Sequence, residues 1–167
     1  MPFKMIEKQF GNQIMGATVE RITDQRHLDR MTEWMYEWWG KQEGYSMEAV
    51  RCSLFRGLQS ERLPQTFGLY LDGELIGMYQ ITMSDLFVRP DLYPWLANVY
   101  IDPGFRGMGY GRVLLSSVRN NAEALGLHEL FLFTTLNGVY EKYGWEYQEE
   151  IDTFLEPKLQ RLYRLAI

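Results

Sequence analysis

Arg106-Gly107-Met108-Gly109-Tyr110-Gly111 stands between a strand-like run ending in Ile101-Asp102-Pro103 and a helix-like run starting at Arg112. The three glycines remove the side chains that would keep a ligand from the backbone, and they let successive N–H groups turn into one concavity. The helix that follows adds free N–H groups and the positive end of its dipole, so the junction suits a bound pyrophosphate. Arg106 brings a full charge to the rim. The bland alternative is a strand-to-helix turn that binds nothing.

Spacing excludes two nucleotide folds. A Walker A loop needs Gly-Lys followed by Ser or Thr, whereas Gly111 is followed by Arg112-Val113. The dinucleotide fingerprint needs a glycine three residues after Gly109, and that position is Arg112. An R-x-x-G-x-G pattern remains, flanked upstream by Leu96-Ala97-Asn98-Val99-Tyr100-Ile101 and downstream by Tyr140-Glu141-Lys142-Tyr143-Gly144-Trp145.

These three landmarks, in this order, resemble the acyl-CoA-binding motif, fourth strand and Tyr-x-x-x-Gly-aromatic segment of the GCN5-related N-acetyltransferase (GNAT) superfamily. The resemblance implies a mixed, mostly antiparallel sheet of six or seven strands in an α/β (α+β) domain, flanked by about four helices and splayed between its central strands. It implies acetyl-CoA as co-substrate, with no metal. Val99, Tyr100 and Ile101 would meet the pantetheine arm through their main chain. Arg106, Gly107, Met108, Gly109, Tyr110, Gly111 and Arg112 would cradle the pyrophosphate. A backbone N–H near Asn98 to Tyr100 would face the oxyanion, and Tyr140 would be the general acid. Many members carry an asparagine seven residues before that tyrosine, where this chain has Phe133, and the loop is short. Asn137 reads better as a helix cap than as a cofactor ligand. The short Thr-Thr loop also resembles that of some peptide N-terminal acetyltransferases in the superfamily.

The whole chain is consistent with this. Its 167 residues suit one domain, 1–167, with 1–14 as an N-terminal extension. Residues 1–16 carry no signal-peptide pattern and no stretch is long enough to span a membrane, so a cytoplasmic location is expected. The net charge of −5 disfavours nucleic acid as a partner and suits a cationic acceptor, a small-molecule amine or a peptide N-terminus. A homodimer is compatible with the sequence. The single cysteine, Cys52, excludes an internal disulfide and is expected to pack on an apolar helical face.

Local patterns place the elements. A strand is expected over 17–22, then a helix capped by Thr23 or Asp24 with Leu28, Met31, Met35 and Trp38 in its stripe. Ser46 should cap a second helix with Val50, Leu54 and Leu58 inward. Phe67, Leu69 and Leu71 alternate up to Asp72-Gly73, and residues 75–83 return as a hairpin. Strand 95–101, one helix from Leu114 to a cap at Gly126, a central strand at 130–133, a short helix over 137–143 and closing strands over 145–149 and 160–167 complete the order. For the general base, Asp85 after the third strand is the leading candidate, with Glu33, Glu37 and Glu43 as rivals. Trp39 and Trp95 are candidate walls of the substrate pocket. A non-catalytic acyl-CoA sensor and an aromatic interaction module stay open beside the enzyme.

Overall fold

The computed structural model describes residues 16–167. The expected N-terminal extension, 1–14, lies outside the described residues, as does nearly all of the segment read for a signal peptide. Alternating apolar residues build a hairpin of β2 (Gln65–Leu71) and β3 (Glu74–Thr82), with both turn residues, Asp72 and Gly73, at positive φ. β1 (Ala17–Ile22), β4 (Trp95–Ile101), β5 (Glu129–Thr134), β6 (Glu146–Asp152) and β7 (Leu159–Ala166) extend it to seven strands in the order β1-β2-β3-β4-β5-β7-β6. Among the described residues, only the β4/β5 pair is parallel.

Successive residues of β3 point to opposite faces, so Met78 and Tyr79 belong to different cores. Under Met78, α1 (Leu28–Met35) and α2 (Met47–Arg56) bury Leu28, Met31, Met35, Val50 and Leu54. Under Tyr79, α3 (Tyr110–Ser116) and α4 (Val118–Ala124) bury Leu114, Leu115, Val118 and Ala122 against Phe67, Ile81, Leu96 and Leu130. Truncating any one of these buried leucines to alanine costs about 2–5 kcal/mol. Among the described residues, no helix is long and apolar enough to cross a membrane.

Several local expectations are corrected. α1 starts at His27 without a side-chain cap, because the Asp24 carboxylate instead accepts the Arg26 N–H at 2.9 Å in a turn before the helix. Ser46 does cap α2, its Oγ accepting the Ala49 N–H at 3.1 Å. Cys52 is exposed rather than packed: with Val50 and Leu54 inward, a residue two positions from each lies about 200° round the helix. α1 continues as a π-turn, Tyr36–Gly40, whose extra residue breaks the helical stripe. Trp38 therefore leaves the core and is 47% exposed.

The helix after the glycine turn is interrupted at Ser117, whose hydroxyl donates to Leu114 O at 2.7 Å. There Ser117 Oγ and Asn121 Nδ2 meet the hydroxyl of the fully buried Tyr79, at 3.2 and 2.6 Å. The break supplies partners that this buried phenol requires. Asn137 lies in the loop, and the short helix shrinks to a 3-10 turn, Tyr140–Tyr143, preceded by Val139.

Candidate functional site

β4 and β5 share a single registered pair, Trp95 with Phe131, beside a 3.0 Å bond from the Phe131 N–H to Pro94 O. The strands part because β4 bulges. Met78 faces Tyr100 and Gln80 faces Ala97, leaving Asn98 and Val99 together opposite Tyr79. Asn98 takes φ 53°, a left-handed conformation that asparagine tolerates better than most residues. A bulge bends and twists its strand, so Val99, Tyr100 and Ile101 continue without a registered partner on β5. Val99 and Ile101 pack their side chains on the α3 side, and Tyr100 packs on the α1 side.

At the open end of β4 the chain is firmly tied. Asp102 Oδ1 accepts the Gly104 N–H at 2.9 Å, and Oδ2 accepts from Trp34 Nε1 at 3.2 Å and Arg30 Nη2 at 3.3 Å. Burial opposes ionisation of Asp102, yet these donors outweigh it and hold the carboxyl below its ordinary range. Arg106 is exposed; its Nε donates to Ile101 O at 2.8 Å while its guanidinium lies 5.1 Å over the Tyr100 ring. Gly109 takes φ 88° as the residue that opens α3, a conformation costly for any side chain. A Cβ on Gly107 or Gly111 would meet no atom within 4 Å, so the turn borders open space. Met108 is 59% exposed, Arg112 is exposed, and Tyr110 leans on Phe105 at 6.2 Å between ring centroids.

Tyr140 is only 8% exposed. Its ring meets Trp145 edge-on at 6.0 Å and lies 6.2 Å from Tyr163. Burial alone pushes its phenol up to about 12. Tyr163 Oη donates to Glu141 Oε1 at 2.6 Å, which braces the turn carrying Tyr140 against β7. Tyr143 sits half-buried at the margin of the same core.

Asp85 is exposed by its overall surface, although protein crowds its carboxyl. Burial first, and the Glu43 charge second, push Asp85 up to about 7. Burial also raises Glu43. Of the other acids, Glu33 is exposed and Glu37 pairs with Lys41 at 4.0 Å on the helix surface.

The two candidate tryptophans separate. Trp95 is fully buried with its indole N–H donating to Leu92 O at 2.7 Å, so it packs and presents no surface to a ligand. Trp39 is half-buried, and the π-turn swings it toward β4, where Nε1 donates to Asn98 Oδ1 at 3.1 Å. Asn98 Nδ2 donates to Gln80 Oε1 at 2.7 Å, and Gln80 Nε2 to Thr66 Oγ1 at 2.9 Å. Sequence reasoning missed these last two residues. Their only signal was polarity at strand positions that the hairpin buries.

A shallow hollow of about 270 Å³ beside Cys52, lined also by Gln25, Arg51, Phe55 and Arg56, shares no residue with the split. Among the described residues, no group of three His, Cys, Asp or Glu could hold a metal ion.

The bulged β4, its divergence from β5 and the glycine turn define a class, the GNAT type of acetyltransferase fold. Residues 28–145 match the Acetyltransferase (GNAT) family, and the chain belongs to that family. Comparison with curated proteins finds no match. Solved structures share the fold at low identity. A GNAT family acetyltransferase from Elizabethkingia anophelis with acetyl-CoA bound is 16% identical, with a TM-score of 0.65 over 92% of this chain and 99% of its own. The Salmonella typhimurium acetyltransferase that modifies the N-terminal serine of ribosomal protein L7/L12 is 12% identical, with a TM-score of 0.67 over 92% of this chain and 96% of its own. AAC(6')-Ib in complex with paromomycin and acetyl-CoA is 17% identical, with a TM-score of 0.67 over 90% of this chain and 93% of its own.

Proposed function

We propose that this protein transfers an acetyl group from acetyl-CoA to a primary amine by direct attack in a ternary complex. The observation that carries the reading is the parting of β4 from β5 beyond Trp95 and Phe131, beside a glycine turn that borders open space. A pantetheine arm fits such a gap as an added strand, hydrogen-bonding the main chain of Val99, Tyr100 and Ile101. The N–H groups of residues 107–112 then face the pyrophosphate, with Arg106 and Arg112 as the charges nearest to it.

The acceptor arrives as an ammonium ion and must lose one proton before its nitrogen attacks the thioester carbonyl. Asp85, pushed up to about 7, has the affinity that a base at neutral pH needs, directly or through one water. The carbonyl oxygen gathers charge in the tetrahedral intermediate, and an N–H at the β4 bulge stabilises it. Collapse breaks the C–S bond, releases the second amine proton and expels sulfur.

Tyr140 enters the reaction protonated at neutral pH, because its phenol lies at about 12. A thiol of pKa about 8.5 is the stronger acid, so Tyr140 hydrogen-bonds the developing thiolate, and any proton it passes on is replaced from the intermediate's nitrogen. The products are an amide, CoA thiol and one released proton. The acidic Asp85 and Glu43 favour a cationic acceptor, either a small amine or a peptide N-terminus.

Calorimetry with CoA, followed by thiol release across aminoglycosides, polyamines, amino acids and peptides, tests the reading. Absence of CoA binding overturns it. CoA binding without thiol release for any amine replaces it with the acyl-CoA sensor.

A further inference from the structure

Thr66 on β2, Gln80 on β3, Asn98 on β4 and Trp39 in the π-turn form one hydrogen-bonded line across four elements. Every bond points the same way: the indole N–H donates to Asn98, the Asn98 amide to Gln80, and the Gln80 amide to Thr66. Aligned donors polarise one another, and in a buried setting none can be lost cheaply. Gln80 and Thr66 are 4% and 0% exposed. The far end of the line is closed by Gly57, where a Cβ would stand 2.6 Å from Gln80 Nε2 and 2.7 Å from Thr66 Oγ1. Gly40, at the end of the π-turn, is likewise pressed so close to α2 that a Cβ would stand 2.7 Å from Val50 Cγ2.

We infer that Asn98 is the positioning residue of the acyl site: its amide, clamped between Gln80 and Trp39, fixes the aim of the backbone N–H groups at the β4 bulge without being needed to part the strands, and Trp39 ties the bulge to the acceptor side. The inference rests on the acetyl-CoA reading and goes beyond it, since it assigns side chains rather than main chain. The bulge aims the backbone N–H groups that meet the thioester carbonyl, a group that acetyl-CoA carries and CoA lacks. The pyrophosphate turn stands apart from the line.

Calorimetry of the wild type, Trp39→Phe and Asn98→Gly with both CoA and acetyl-CoA tests this. Trp39→Phe keeps an aromatic ring but removes the indole N–H with the rest of the pyrrole ring, and Asn98→Gly tolerates the left-handed backbone while removing the whole side chain with its amide. The expected result is CoA affinity within about twofold of wild type but acetyl-CoA affinity reduced about fivefold, the effect of one net hydrogen bond. The double variant should lose no more than Asn98→Gly alone, because both act on one line.

A parallel fall in both affinities would mean a merely structural role and overturn the inference, as would additive losses in the double variant. Should either variant fold poorly, the wild type alone decides: the Trp39 indole resonance of nitrogen-15-labelled protein must shift with acetyl-CoA more than with CoA, and equal shifts overturn the inference. Wild-type protein that binds neither ligand refutes the acetyl-CoA reading itself, a separate outcome.

Discussion

Trp95 and Phe131 are paired across β4 and β5 and their rings meet at 5.9 Å between centroids, so the last point of contact between the diverging strands is also a packed aromatic pair. Leu86, Ile151 and Leu162 close round it, which anchors the C-terminal strands and the loop carrying Asp85 to one small core. Trp95→Ala should destabilise the protein by about 3–5 kcal/mol. Urea unfolding checks this, with a lowered midpoint and an unchanged slope. Phe131→Ala should behave alike.

Gly111→Leu separates binding from folding. A Cβ there would meet no atom within 4 Å beyond its own helix, and leucine in a helix gains up to about 1 kcal/mol over glycine, so stability should rise. The same side chain fills the space beside the turn, and CoA affinity should fall about tenfold or more, which is over 1.4 kcal/mol. Thermal unfolding and calorimetry on the same sample read both directions. A variant that is stabilised yet binds CoA normally would remove the turn from the binding site.

Tyr140→Phe keeps the ring between Trp145 and Tyr163 and deletes only the hydroxyl. Stability should change by less than about 1 kcal/mol, since burial is the only cause acting on this phenol and no strong bond is lost. Turnover should fall about a hundredfold with CoA affinity unchanged. Because the phenol lies at about 12, wild-type turnover should show no alkaline loss attributable to Tyr140 below pH 10. Folding holds that proton more tightly than the unfolded chain does. Its contribution to stability is complete below the ordinary value of 10 and is lost as pH rises through about 12.

Much of this was legible in the sequence, for physical reasons that also mark where legibility stopped. The hairpin at Asp72-Gly73 and the glycine turn after Ile101 are written in local backbone requirements, which a sequence states directly. The π-turn was not, because one extra residue in Tyr36–Gly40 follows from the close approach of Gly40 to Val50 and not from any local propensity. Helical spacing alone therefore puts Trp38 in the core, whereas the structure leaves it exposed. Cys52 was misplaced because a helix face is fixed by what the helix packs on. Asn98, Gln80 and Thr66 lie far apart along the chain, and only the register of three strands brings their amides and hydroxyl into line.

Asp85 links stability to chemistry through one titration. Its carboxyl lies at about 7 in the folded protein and at 3.8 when unperturbed, so the native state binds more protons than the unfolded chain across that interval. Stability must therefore decline as pH rises through the interval and level off above about 7. Asp85→Asn cannot ionise, so its advantage over wild type should be near zero at about pH 4 and largest above about pH 7. Thermal unfolding against pH reads this, and a difference constant over the whole range would mean that the carboxyl is not raised in the folded protein. The same group should govern kcat/KM if it takes the amine proton: activity should rise through about pH 7, and Asp85→Asn should lose that limb. Glu43→Gln supplies the control that joins the two. It removes a like charge that helps raise Asp85, so both the stability decline and the kinetic limb should move to lower pH together. If the kinetic limb stays while the stability decline moves, the proton is taken by another group, and Asp85 is not the base.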